Sequence, residues 1–176
     1  MAAIGQAGRA VVPGDSAVIF VTVGAQMPFD RLVKTVDQWA GENGRDDVFA
    51  QIGQSEYQPS NIQWTNFLAP EEFKRKYEAA KVIVAHAGTG SIITALQLGK
   101  PVLVMPRRAN LRETRNDHQI ATAQQFRRFD SVEVAWDENE LITKLEGIDN
   151  LRGSQRIESY ASSELVQAIQ EFIDGC

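Results

Sequence analysis

The sequence predicts an α/β protein: a parallel sheet covered by helices on both faces. Three observations carry this. Short apolar, β-branched runs alternate along the chain with stretches of helical periodicity. The strand-like runs are continuously apolar, as doubly buried parallel strands are. The corners after residues 23, 52 and 85 carry glycine. Ligands of such sheets bind at the carboxyl ends of the strands, so those corners are the places to look for a site.

The elements follow in order. AVIFVTV (17–23) is the first strand and ends at Gly24. PFDRLVKTVDQWA (28–40) places Phe29, Leu32, Val33, Val36 and Trp39 at helical spacing, with Pro28 suited to the first turn. DVFAQIG (47–53) is a second strand ending in glycine, and IQWTNFL (62–68) a shorter third. PEEFKRKYEAA (70–80) is a helix with acids in its first turn and bases later, which suits the macrodipole. VIVA (82–85), SIITALQLG (91–99) and PVLVMP (101–106) read as strand, helix, strand. NDHQIATAQQFRRF (116–129) is a helix, SVEVAW (131–136) a last short strand, and 137–148 and 154–173 are helices. The last carries an apolar stripe, Ile157, Tyr160, Ala161, Leu165, Ile169, Phe172 and Ile173, that either packs on its own sheet or crosses to a partner. Residues 1–15 are Gly- and Ala-rich without periodicity and read as a flexible N-terminal extension, leaving 16–176 as one domain.

Composition narrows the function. A chain of 176 residues with 43% hydrophobic residues suffices for one core. The net charge of −5 argues against non-specific nucleic-acid binding. Cys176 is the one cysteine, so there is no internal disulfide, and the chain fits a reducing compartment. No apolar run approaches the ~20 residues of a membrane helix.

The corner HAGTGS (86–91) is the most informative stretch. Gly88 and Gly90 can take positive φ and let a ligand approach the backbone. Ser91 suits the N-cap of the next helix. A helix N-terminus is an anion site, and phosphate is the usual anion. A plain strand-to-helix turn is the alternative. It is not a dinucleotide loop, because Ile93 stands where the third glycine belongs, nor a P-loop, because no GK[ST] follows. His86 lacks zinc partners, His118 being the only other histidine, and is either a buried or capping group or part of a site.

PRRANLRETRNDHQIATA (106–123) is the second such stretch. Between residues 107 and 128 there are six arginines against Glu113 and Asp117. Either this is a solvated basic face, or it attracts a phosphorylated ligand, an anionic membrane surface or an acidic partner. Asn116 or Asp117 suits the N-cap of the following helix, and Asp117, His118 and Gln119 then face the same sheet edge as 86–91.

HAGTGSIITALQLGKPVLVMPR followed by NDHQIATA, with VTVGAQMPFDRLV (21–33), the QIG strand end and the spacing from Phe67 to Gly88, resembles the C-terminal domain of glycosyltransferase family 28, the family of the MurG-type transferases. The resemblance covers about 17–172. It implies a Rossmann-like domain that is one half of the two-domain GT-B arrangement, with a UDP-sugar as donor substrate, inversion at the sugar and no metal or other cofactor, in keeping with the absence of an Asp-x-Asp motif. The wording looks most like single-domain subunits of the PssE type in bacterial exopolysaccharide synthesis. That implies a cytoplasmic chain held at the membrane by a PssD-type, membrane-anchored partner that binds a lipid-linked sugar acceptor.

By position, the resemblance puts Gly24, Ala25 and Gln26 near the diphosphate or acceptor cleft, and Gly53 and Gln54 near the nucleotide. Phe67 and Leu68 precede the base-binding region. His86, Gly88, Thr89, Gly90 and Ser91 form the diphosphate turn, with an arginine such as Arg107 nearby, and Asn116, Asp117, His118 and Gln119 lie at the donor sugar. Thr94 stands where the family has the acid that grips the ribose, and Ala121-Thr122-Ala123 where it has Asn-Ala. His86 and His118 are the catalytic candidates by pKa, although the family's general base belongs to the other half. A non-catalytic nucleotide-sugar-binding module and a fragment of a UDP-sugar epimerase are the rival readings.

Overall fold

A computed structural model describes residues 18–153. The N-terminal extension and the helix expected over 154–173 lie outside the described residues. Within them the chain runs β1 (Ile19–Thr22), α1 (Asp30–Glu42), β2 (Val48–Gln51), β3 (Gln63–Thr65), α2 (Pro70–Ala79), β4 (Val82–His86), α3 (Thr89–Gln97), β5 (Val102–Met105), α4 (His118–Phe126), β6 (Val132–Val134) and α5 (Glu138–Glu146). One-turn 3-10 segments stand at Ala109–Leu111 and Ile148–Asn150.

All six strands pair in parallel, in the order β3-β2-β1-β4-β5-β6. The alternation of each strand divides the core in two. Ile19, Val21, Val84, Leu103 and Met105 join Leu32, Val33, Val36 and Trp39 of α1 and Leu141 and Leu145 of α5 on one face. Phe20, Ile83, Ala85, Val102 and Val104 join Tyr77 of α2, Ile92, Ala95 and Leu96 of α3 and Ala123 of α4 on the other. Winding runs outward in both directions from the β1/β4 pair, so the carboxyl ends of these strands diverge into a crevice at the switch point.

One crossover has no helix. Parallel strands β2 and β3 are joined by an irregular segment, and a buried carboxylate on α1 holds it. Asp37 is fully buried. It accepts hydrogen bonds from Tyr57 Oη (2.6 Å) and from the backbone N–H groups of Asn61 (2.8 Å), Ser60 (3.2 Å) and Ile62 (3.2 Å), with Asn61 Nδ2 at 3.3 Å. So many donors offset the cost of burying a carboxylate. Ser55 Oγ adds a bond to Asp30 at the start of α1, at 2.6 Å.

Two helix starts differ from expectation. Pro28 lies just before α1, whose N-cap is Phe29. Ser91 is not the N-cap of α3: that helix begins at Thr89 with Gly88 as its cap, so Ser91 belongs to its first turn.

Candidate functional site

At the switch point, β1 ends at Gly24 and β4 ends at His86. Gly24 has φ +75 and donates its N–H to Thr22 Oγ1 at 3.2 Å. The His86 imidazole is packed against Gly24 on one side and Gly88 on the other. A Cβ on Gly24 would stand 2.8 Å from His86 Cε1, and a Cβ on Gly88 would stand 2.8 Å from Cδ2 and closer still to Nε2. Gly88 is therefore required for space and not for a positive φ, its backbone being extended at φ −83. Gly53, at the end of β2, packs against Val23 and the Gly24 carbonyl.

Burial pushes the His86 pKa down to about 4, with the Arg107 cation acting in the same direction and the Thr22 backbone against it. Its Nδ1 is buried without a hydrogen bond of good geometry. The ring is neutral at physiological pH, a polar wall and a weak base.

Beside this cluster, α3 presents its N-terminus. Gly88 offers no side-chain cap, and the first helical bond runs from the Ile92 N–H to the Gly88 carbonyl at 3.2 Å. The N–H groups of Thr89, Gly90 and Ser91 are thus the free donors of the helix start. Gly90 has open space where a Cβ would stand. The turn is rigidly held from behind: Tyr77 Oη donates to the Ser91 carbonyl at 2.6 Å, and burial pushes the Tyr77 phenol up. Thr94 Oγ1 donates back to the Gly90 carbonyl at 2.8 Å. Its hydroxyl proton is spent inside the helix, and its oxygen remains an acceptor.

Arg107 is turned inward. It is 4% exposed and donates through one nitrogen to the carbonyls of Val23 (2.8 Å) and Met27 (2.5 Å), bracing the β1–α1 loop from below. Its guanidinium lies 5.0 Å from the Phe29 ring. Burial pushes its pKa down to about 10, against the raising effect of Glu113, so it stays charged at neutral pH. The Arg107 N–H donates to Gln119 Oε1 at 3.1 Å, which joins α4 to the same framework.

The basic stretch is not one patch. Arg108 spends a guanidinium bond on the Trp136 carbonyl at 2.6 Å. Arg112 and Arg115 are exposed on the loop after β5, while Arg127 and Arg128 lie at the far end of α4. Asp117 occupies the N-cap position of α4, but its carboxylate turns back to the Ala109 N–H at 2.9 Å, and Asn116 Oδ1 accepts from the His118 N–H at 3.3 Å.

The structure therefore brings Gly24, Gly53, His86 and Gly88 into one contact cluster, with the first turn of α3 beside it and Arg107 and Gln119 behind it. Phe67 and Leu68 sit elsewhere, at the end of edge strand β3, where the Leu68 N–H bonds Gln51 Oε1 at 3.2 Å and Phe67 is half exposed. Ala25, Gln26, Gln54 and His118 are exposed, and no described hydrogen bond joins their side chains to the cluster. Asp37, Arg31 and Tyr77 were not singled out from sequence. Glu113 carried a signal, as one of two acids in a basic stretch. Among the described residues no group of three or more His, Cys, Asp or Glu could hold a metal ion, and no helix is long and apolar enough to cross a membrane.

The sequence profile of the glycosyltransferase family 28 C-terminal domain matches residues 18–171. The chain belongs to that family. Among curated relatives, the UDP-N-acetylglucosamine transferase subunit ALG13 of Candida albicans is 34% identical over 70 residues, which is 40% of this chain and 22% of that protein. The Homo sapiens protein of the same name is 28% identical over 118 residues, 61% of this chain and 10% of that protein. The match thus spans less than a quarter of the length of either relative. The solution structure of ALG13 superposes with a TM-score of 0.58 at 18% identity, covering 89% of this chain and 94% of that one. MurG of Acinetobacter baumannii gives 0.55 at 16% identity, covering 78% of this chain and 42% of that one. The fold is thus the α/β arrangement of one half of a GT-B glycosyltransferase.

These relatives correct the expected branch. The matches are to ALG13 subunits and not to a PssE-type exopolysaccharide subunit. The motifs that carry the resemblance, from the turn after β4 through α3 and β5 and at the start of α4, all lie within the family 28 match and name the family, not a branch of it.

Proposed function

We propose that the chain is the donor-binding part of an inverting, UDP-sugar-dependent glycosyltransferase whose acceptor half lies on a separate, membrane-anchored chain. The observation that carries it is the first turn of α3, three unspent N–H groups beside the Gly24–His86–Gly88 cluster at the switch point of a family 28 domain. A helix start of this kind holds an anion, and the macrodipole adds to it. The relatives' names make UDP-N-acetylglucosamine the first donor to test.

In the reaction, the acceptor hydroxyl oxygen attacks the anomeric carbon as the bond to the diphosphate oxygen breaks. UDP departs with the bonding electron pair, and the hydroxyl proton passes to a base. The N–H groups of Thr89, Gly90 and Ser91 stabilise the charge that grows on the leaving diphosphate. No metal is needed for that stabilisation. His86, held neutral, lines the diphosphate pocket. The base is assigned to the partner, where the family resemblance puts it; His86, with a pKa near 4, is a poor proton acceptor at pH 7. Gln119, with Nε2 unspent, and exposed His118 stand at the sugar end, and an acceptor carried on a lipid reaches the crevice from the partner.

Transfer of labelled sugar from UDP-N-acetylglucosamine to a membrane lipid fraction tests this. Activity is expected from the chain together with its membrane-anchored partner and not from the chain alone. Full activity from the isolated chain would contradict the division of labour.

A further inference from the structure

The site described above stops at the backbone of the loop after β5, but the loop itself is held from α1. Arg31 stands in the first turn of α1. Its Nε and one terminal nitrogen grip the Glu113 carboxylate at 2.6 and 2.8 Å, the same terminal nitrogen reaches the Pro106 carbonyl at 3.2 Å, and the other terminal nitrogen reaches Glu138 at 3.1 Å. The two principal side chains are 12% and 13% exposed, so solvent and salt screen this fork weakly. Glu113 Oε2 also accepts the Arg108 N–H at 2.9 Å. The Arg31 guanidinium lies 5.4 Å from the Phe29 ring, over which Arg107 also lies.

The loop has little else to keep its apex in place. Its internal bonds are local, from Leu111 and Glu113 to the Arg108 carbonyl and from Arg112 to Ala109. Arg107 anchors its beginning, the Arg108 guanidinium ties the next residue to the Trp136 carbonyl, and the Ala109–Asp117 bond closes the loop on itself. Glu113 is the apex residue tied to another element, and that tie is Arg31. The loop leads directly into Asp117, His118 and Gln119, the residues assigned to the sugar end of the donor.

We propose that Arg31 is a positioning residue for the sugar end of the site, acting through Glu113 to fix the 107–117 loop and with it the start of α4; this rests on the donor-binding reading above. Loss of the fork leaves Glu113 nearly buried beside only one backbone donor, and the loop opens to hydrate it.

The test is calorimetry on the full chain and on Arg31→Met, Arg31→Lys, Glu113→Gln and the double variant Arg31→Met/Glu113→Gln, with UDP and UDP-N-acetylglucosamine. Amide exchange at Arg108 and Ala109 is followed in parallel. Arg31→Met is expected to weaken the sugar nucleotide about tenfold while UDP changes less than about twofold, because the phosphate turn on α3 is held separately by Tyr77. Arg31→Lys, which keeps the charge without the fork, is expected to fall nearer Met than wild type. The double variant is expected to be no worse than Arg31→Met, and exchange at both amides to quicken. Equal loss of both ligands, or additive single effects, would overturn the inference. If the wild-type chain binds neither ligand, alone or with its membrane-anchored partner, the donor-binding reading fails, and exchange still decides the role of Arg31: unchanged protection in the Arg31 variants overturns it. Should Arg31→Met fail to fold, Arg31→Lys and Glu113→Gln carry the same comparison.

Discussion

The ring of His86 fills the space that a side chain on Gly88 would need. A Cβ there would stand 2.8 Å from Cδ2 of the imidazole. Gly88 also caps α3, so the residue that makes room for the ring is the one that leaves the helix start uncapped by any side chain. Site and packing are one arrangement at this position.

Substitution at Gly88 therefore acts on both. Gly88→Ala must displace the His86 ring, which Gly24 confines on its other side, at a cost of about 1–3 kcal/mol of overpacking. Gly24→Ala faces the same ring and adds a strained positive φ, and is expected to cost a similar amount. Urea unfolding measures the stability. Titration with UDP is expected to show at least a tenfold loss for Gly88→Ala, beyond what partial unfolding explains.

His86 gives the fold a pH dependence with a definite sign. Its pKa is about 4 in the folded chain against an ordinary 6.5. Above 6.5 the imidazole is neutral folded or unfolded, and nothing is lost. As pH falls through the interval to 4, the unfolded chain takes up the proton and the folded chain does not, so stability falls, by roughly 3 kcal/mol in all. Urea midpoints at pH 7.0 and 4.5 for wild type and His86→Asn check this. The variant is expected to lose this part of the slope.

Arg107 is a second cause of the same shift. Removing its charge in Arg107→Met is expected to raise the His86 pKa, read from imidazole NMR signals. With two histidines in the chain, assignment is direct. The same variant frees the Val23 and Met27 carbonyls and is expected to lower the melting temperature.

Asp37 holds the helix-free β2–β3 connection. Asp37→Ala strands the backbone donors of Ser60, Asn61 and Ile62 together with Tyr57 Oη, and is expected to cost about 3 kcal/mol or more. Tyr57→Phe removes one of these bonds and is expected to cost about 1 kcal/mol. Urea unfolding of the two variants gives both numbers.

The strands were legible because Ile19–Thr22, Val82–His86 and Val102–Met105 are continuous apolar runs, a pattern that burial on both faces demands. The glycine corner was legible because it ends one such run. Its inner logic was not. Sequence offers Ser91 as a cap and positive φ as the reason for Gly88, whereas α3 starts two residues earlier and the packing of the neighbouring His86 ring is what requires Gly88. The arginine cluster misled for a related reason. Charges counted along the chain cannot show that Arg107 finds its acceptors on the β1–α1 loop or that Glu113 pairs with α1. Asp37 reads as a polar position on an amphipathic helix, because its partners lie in a segment without periodicity.

The most direct test of the donor-binding site is calorimetric titration, in EDTA, of the chain co-purified with its membrane-anchored partner and of the chain alone, using UDP-N-acetylglucosamine, UDP and ADP, with Gly88→Val as the control. Saturable binding of the uridine ligands over ADP, independent of metal and lost in a folded Gly88→Val variant, is the predicted result. Absence of uridine-nucleotide binding at millimolar ligand in both preparations, or binding untouched by Gly88→Val, would contradict a donor site at the start of α3.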